Sequence, residues 1–285
     1  MRLLKPLIEK PMKIFDDTLA DLSPATSQER IAKVRDEVGD EYLSYLDKAI
    51  QNTLYTIPAC DYGKSDQLIL GTATKGDFVA QYDTGMVGSA AAGRQHYDRI
   101  RALALFNKCP YCGIGDVATL DHYLSKSRYP VYSVMSANLI PCCSDCNKVK
   151  GGGVISEGSQ TLHPYFEKPI IDQTSWLVAS VSEKHPRIAK FRVDIPVHWP
   201  ADLARRTINH FEELELARRY SIQAAVELGS TSEYLMDLTE FDSRRSHLRR
   251  MARVEDGIHR NSWKAALYRE LAHLDWYALE GYLRP

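Results

Sequence analysis

No stretch of the 285 residues carries the roughly 18 consecutive apolar residues that a bilayer-crossing helix needs. The opening segment, MRLLKPLIEKPMKIF, interrupts its apolar residues with two prolines and an acid, and no small-residue cleavage site follows. Neither a membrane partner nor export is expected, and the expected compartment is the cytoplasm. Charge of one sign is also missing: 36 Lys and Arg face 37 Asp and Glu, a net charge of −1. A dedicated DNA-binding domain draws much of its affinity from phosphate neutralisation, so this balance argues against a stand-alone tight binder. It leaves room for an enzyme that touches nucleic acid transiently or is carried there by a partner. Internal repeats and low-complexity linkers are absent, and a 44% hydrophobic, 26% charged composition excludes a disordered chain. Cysteine is scarce outside one place. Of six, Cys109, Cys112, Cys142, Cys143 and Cys146 cluster, and only Cys60 lies elsewhere. Disulfides do not persist in a reducing compartment, so clustered thiols there point to metal.

Periodicity supplies the frame. After an N-terminal arm expected to be irregular to about residue 25, Thr26-Ser27-Gln28-Glu29 offers a capping box. Apolar residues then recur at Ile31, Val34, Val38, Tyr42, Tyr45, Ala49, Ile50 and Leu54, the spacing of a helix that ends before Pro58. Residues 58–92, rich in Gly, Asp and Thr, predict loop with short strands. A helix is expected over about 93–107, burying Tyr97, Ile100, Leu103, Ala104 and Phe106. Trp176-Leu177-Val178 and the alternation of Ala189, Phe191, Val193 and Ile195 predict two strands. Helices are expected from Pro200 to Gly229, from Ser232 to Gly257 and from Asn261 to Tyr282. The expected class is α+β, with a small cysteine-stapled module at 105–167 embedded between mainly helical regions at 1–104 and 168–285.

Cys109-Pro-Tyr-Cys112 and Cys143-Ser-Asp-Cys146 are two C-x2-C turns. Each such turn aims two thiolates at one tetrahedral ion, and the pair completes a closed shell of four, which is the pattern of a structural Zn²⁺. Cys142 is one residue too far from Cys146 for the same turn and is expected to be a packed thiol. With no open coordination position, this zinc would hold the module together and do no chemistry.

Between and after the thiol turns stand Leu120-Asp121-His122-Tyr123, then Asn138-Leu139-Ile140-Pro141, then Cys146-Asn147-Lys148-Val149-Lys150-Gly151. In this order and inside this cysteine frame, the segment resembles HNH (ββα-metal) endonucleases of the zinc-stapled kind. Asp121-His122 matches the first pair of that motif, Asn138 its central asparagine and Asn147 its third position. The resemblance implies His122 as general base, Asp121 and Asn147 as oxygen ligands of a catalytic Mg²⁺ or Mn²⁺, and Asn138 as the residue that ties the intervening loop so that His122 is aimed. The chemistry suits the residue types: a neutral imidazole accepts a proton at cellular pH, and a carboxylate with an amide oxygen is enough for a hard cation that keeps several waters. Neighbours in a regular strand point to opposite faces, so Asp121 and His122 share a site only if the strand ends there. The resemblance covers about residues 105–167.

His163-Pro164-Tyr165-Phe166 is similar to segments that follow the motif in nuclease subunits of bacterial anti-phage systems of the Septu and retron-associated type. It makes His163 either a further metal or phosphate ligand or the cap of a turn packed on the module. Lys126, Arg128, Lys148 and Lys150 are candidate contacts to nucleic-acid phosphates. Residues 241–270 hold a local excess of Arg and Lys that could grip nucleic acid or line the wet side of a helix. The resemblance further implies a DNA substrate and a partner ATPase that senses phage infection. The competing expectations are a zinc-ribbon-like module that binds nucleic acid or protein without cutting, and the same chemistry on RNA.

Overall fold

A computed structural model of the chain describes residues 1–7, 11–88 and 90–283. The chain is an α+β protein that divides into two units, Leu3–Glu167 and Met1–Arg2 with Lys168–Pro285. The expected boundary at 104/105 falls inside the first unit, so the N-terminal region and the cysteine segment fold together rather than side by side.

In that unit α1 (Pro11–Leu19) replaces the expected irregular arm. It buries Ile14 and Phe15, and the Thr18 hydroxyl donates back to the carbonyls of both. α2 (Ala25–Lys33) starts behind Pro24, whose restricted φ suits a helix entry. Thr26 already lies inside it, so the box expected at Thr26–Glu29 is not its start. α3 (Arg35–Ile50) continues the apolar period as a separate helix, because Val34 leaves helical geometry at φ −107° and ψ 18°. Tyr42, Tyr45 and Ala49 are buried, whereas Ile50, expected inward, is 63% exposed.

Residues expected as loop contain the paired strands β1 (Leu68–Leu70) and β2 (Ala73–Thr74) and a whole helix, α4 (Lys75–Gly85). The capping box belongs here: the Thr74 N–H donates to Asp77 Oδ2 at 2.8 Å and the Asp77 N–H donates to Thr74 Oγ1 at 3.3 Å. Arg30 of α2 donates to the same carboxylate at 2.8 Å. Gly85 lets α4 approach α1, since a Cβ there would stand 2.1 Å from the Thr18 carbonyl oxygen. α5 (Arg94–Arg101) is shorter than expected; Tyr97, Ile100 and Ala104 are buried, but Phe106 is exposed and lies in left-handed backbone.

β3 (Thr119–His122) and β4 (Leu139–Cys142) pair antiparallel, with Asp121 opposite Ile140 and His122 opposite Leu139. Pro141, which has no N–H to donate, is tolerated because each strand of so small a sheet has an open edge. α6 (Ser144–Lys150) follows at once, with Cys143 as its N-cap residue.

In the second unit, after the short α7 (Ile170–Gln173), the two expected strands are β5 (Leu177–Val181) and β6 (Ala189–Val193), which pair antiparallel. α8 (Ala201–Glu213), α9 (Leu216–Met236), α10 (Phe241–His259), α11 (Trp263–His273) and α12 (Asp275–Leu279) complete it. The expected helix ends are displaced. Gly229 lies within α9, and the break falls instead at Glu215, whose φ of 50° no residue type announced. The span 232–257 is divided between α9 and α10, and 261–282 between α11 and α12. Much of the cationic excess of 241–270 is used in packing: Arg244 donates to the carbonyls of Leu238, Thr239 and Ala278, and Arg269 to that of Leu177. No helix among the described residues is long and apolar enough to cross a membrane.

Candidate functional site

The first thiol turn precedes β3 and the second opens α6, so the β3–β4 hairpin brings the two together. The sulfurs of Cys109, Cys112, Cys143 and Cys146 all lie within 4.8 Å of one another and all four residues are buried. A tetrahedral ion about 2.3 Å from each sulfur spaces them roughly 3.8 Å apart, and Cys112 Sγ and Cys143 Sγ stand at 3.9 Å. Four soft donors at this spacing fit a zinc site. The crowded thiols also split one another's ionisation. Hydrogen bonding from Cys112 pushes Cys109 down, while hydrogen bonding with Cys109 pushes Cys112 and Cys146 up. A shared cation would relieve that competition. Cys142 is buried outside the set and turns its thiol to the Cys143 carbonyl at 3.3 Å.

Gly115 packs against this cluster, and a Cβ on it would meet Cys143 Cβ at 2.7 Å and Sγ at 2.8 Å. Its carbonyl also accepts the Cys109 N–H at 2.9 Å, so it cannot retreat without moving the first turn. Gly115→Ala is expected to speed zinc loss to a chelator by at least about tenfold, since a ligand must shift. A variant that releases metal at the wild-type rate would show that the turn yields freely.

Beside the thiol cluster lies a cleft of about 400 Å³, lined among others by Tyr82, Asp121, His122, Lys126, Asn147 and Gly151. His122 is the last residue of β3, which is how consecutive residues of a strand come to border one cavity. Its Nε2 lies 2.8 Å from the Ser133 carbonyl oxygen. A carbonyl only accepts, so Nε2 carries the hydrogen and the neutral ring keeps its lone pair on Nδ1. Burial, with the Tyr82 ring edge-on at 4.5 Å, pushes His122 down to about 3, outweighing the Ser133 carbonyl, and Lys126 and Lys150 add to the effect. The imidazole is neutral at cellular pH.

Asp121 is buried, and Tyr111 Oη donates to its Oδ2 at 2.8 Å while Lys150 Nζ sits 3.0 Å from the same oxygen. Burial raises its pKa, opposed by Lys150. Both partners fall on Oδ2. Asn147, one turn into α6, is half-buried along the cleft wall. Asn138 is wholly buried and acts on the loop that follows β3. Its Oδ1 accepts from the Leu124 N–H at 2.7 Å and from Tyr45 Oη at 3.1 Å, and its Nδ2 donates to the carbonyls of Leu124 and Tyr132 at 3.0 and 3.1 Å. That loop carries Ser133, the partner of His122.

Other expected contacts lie elsewhere. His163 is buried away from the cleft, with Nδ1 accepting the Tyr165 N–H at 3.2 Å, Nε2 3.3 Å from Tyr45 Oη and its ring 4.1 Å from that of Tyr123. It caps a turn in the core and is corrected as a ligand. Lys126 borders the cleft, paired with Asp83 and 4.7 Å from the Tyr82 ring centre. Arg128 lines a separate cleft of about 310 Å³ with Glu41 and Lys48. Lys148 is exposed on α6 and borders neither cleft. Lys150 turns inward to Asp121 and is corrected as a surface phosphate contact. Tyr82 and Tyr111, which shape the site, carry no motif that marks them.

Fold and site together define an α+β chain with four clustered cysteines fitted to a zinc ion. Across 164 residues it is 34% identical to protein ea31 of Escherichia phage lambda, a match covering 56% of this chain and 55% of that protein. The chain thus spans about half the length of this relative. No protein-family model matches the chain, and no solved structure matches it significantly.

Proposed function

We propose that the chain is a divalent-metal-dependent endonuclease of the HNH (ββα-metal) class that hydrolyses DNA phosphodiester bonds. The supporting observation is that His122, Asp121 and Asn147 border one cleft beside the thiol cluster, with the imidazole neutral and its Nδ1 unprotonated. The strand, strand and helix order of β3, β4 and α6 supports this reading.

The donor set for the catalytic ion is a carboxylate oxygen of Asp121 and the amide oxygen of Asn147, hard ligands suited to Mg²⁺ or Mn²⁺. When bound, that ion supplies Lewis acidity towards the scissile phosphate and charge stabilisation at the leaving 3′ oxygen. His122 Nδ1 takes the proton of the attacking water. The Ser133 carbonyl holds the ring and favours the imidazolium that forms, as an orienting acceptor does in other imidazole bases. Asn138 fixes the loop bearing that carbonyl. Lys126 brings positive charge to the cleft wall. The role as nuclease effector of an anti-phage system, with a partner ATPase, rests on the family resemblance alone.

The test is incubation of the zinc-loaded chain with plasmid DNA and with RNA in Mg²⁺ or Mn²⁺, with and without a candidate ATPase. Cleavage of DNA is expected, cleavage of RNA alone would change the substrate, and cleavage of neither would leave a non-catalytic zinc module. Asn147→Ala is expected to raise the Mn²⁺ concentration for half-maximal cleavage by at least about tenfold, the usual scale for a lost metal contact. An unchanged titration would reassign that ligand.

A further inference from the structure

We infer that Lys150 is a resident counter-cation of Asp121 that keeps the cleft's affinity for a divalent ion low until substrate phosphate arrives. This rests on the nuclease reading of Asp121 and Asn147. Lys150 Nζ lies 3.0 Å from Asp121 Oδ2, and the two side chains are only 10% and 4% exposed. An ammonium so placed is not a surface lysine in passing contact. It stands 5.2 Å from the ring centre of Tyr111 and 4.9 Å from that of Tyr123, which together form an aromatic slot around it. Tyr111 closes the arrangement by donating to the same carboxylate oxygen at 2.8 Å.

The carboxylate therefore already faces one positive charge and accepts one hydrogen bond from Tyr111. A divalent ion arriving on its other oxygen meets a partly neutralised ligand and a fixed like charge across a single carboxyl group, where repulsion is only weakly screened. Phosphate oxygens of a bound nucleic acid bring the negative charge that Lys150 has cancelled. Metal uptake and substrate binding are thereby coupled, each strengthening the other by the same factor. Without nucleic acid, the cleft would bind little Mg²⁺ or Mn²⁺.

Binding of Mn²⁺ to the zinc-loaded full chain, followed by electron paramagnetic resonance, tests this without reading activity. Lys150→Met keeps an apolar chain in the aromatic slot, Lys150→Arg keeps the charge, and Asp121→Asn removes the ligand. Lys150→Met is expected to bind Mn²⁺ about tenfold more tightly than wild type, Lys150→Arg as wild type does, and Asp121→Asn not at all. Adding a nuclease-resistant phosphorothioate duplex should narrow the gap between wild type and Lys150→Met. Equal or weaker binding by Lys150→Met, while Asp121→Asn loses the ion, overturns the counter-cation role alone. A gap that the duplex leaves unchanged overturns the coupling to substrate. Wild-type binding by Asp121→Asn overturns the metal site and with it the nuclease reading beneath.

Discussion

Replacing His122 with alanine is expected to cut plasmid cleavage by about a thousandfold while leaving zinc content and melting temperature close to wild type. A positioned general base contributes on the order of 10² to 10⁴ in rate, and each decade corresponds to roughly 1.4 kcal/mol of barrier. No other described side chain on the cleft is placed to take over as a neutral base. Asp121 is engaged on one oxygen and, in this reading, ligates the metal with the other, while Lys126 is a cation paired with Asp83. The thiol cluster does not include His122, so its zinc should remain. His122 lines the cleft, so water can enter the space its ring vacates and meet the Ser133 carbonyl, which limits the cost to stability. The measurement is nicking of supercoiled plasmid under single-turnover conditions, alongside zinc analysis. A variant that cuts at the wild-type rate would remove the proposed mechanism.

Cys143→Ser is expected to lose the bound zinc and to destabilise the unit by several kcal/mol. The substitution separates two roles of one residue. Cys143 is both one of the four clustered thiols and the N-cap residue of α6, and serine is a better N-cap than cysteine, so the helix start gains while the metal site fails. What remains would rest only on packing against the rest of the unit. β3 and β4 are four residues each and α6 is seven, far below the size at which a hairpin or a helix is stable alone. Zinc binding in small thiol sites supplies roughly 10–16 kcal/mol, and that free energy is folding free energy. Zinc stoichiometry and chemical denaturation before and after chelation read the effect. Should the serine variant melt like wild type, the thiol cluster has no structural role.

What the sequence disclosed, and what it hid, follows from the range of each signal. A C-x2-C turn is a local geometry, so two of them announced the four-sulfur cluster without knowledge of the fold. β5 and β6 showed their period-two alternation directly. α4 stayed hidden because Gly76 and Gly85 imitate a loop, and the reason for Gly85 lies in α1, far away in sequence. The helix breaks at Val34 and Glu215 carry neither proline nor glycine and are set by tertiary packing. The family resemblance brought Asp121, His122 and Asn147 forward as one group, and they border one cleft. It could not give the direction of long side chains: Lys150 turns in to a carboxylate, Arg128 faces a different cavity, and His163 is drawn into an aromatic core. Tyr82 escaped notice because its helix did.

Tyr45 of α3 donates to Asn138 across a long stretch of chain, and α4 supplies both the Tyr82 ring beside His122 and the Asp83 carboxylate beside Lys126. A fragment excised at residue 105 would take the thiol staple with it but leave behind the splints that set the imidazole. The smallest piece worth testing for cleavage on its own therefore starts at residue 3 and runs to 167, a boundary that trimming to the motif would miss.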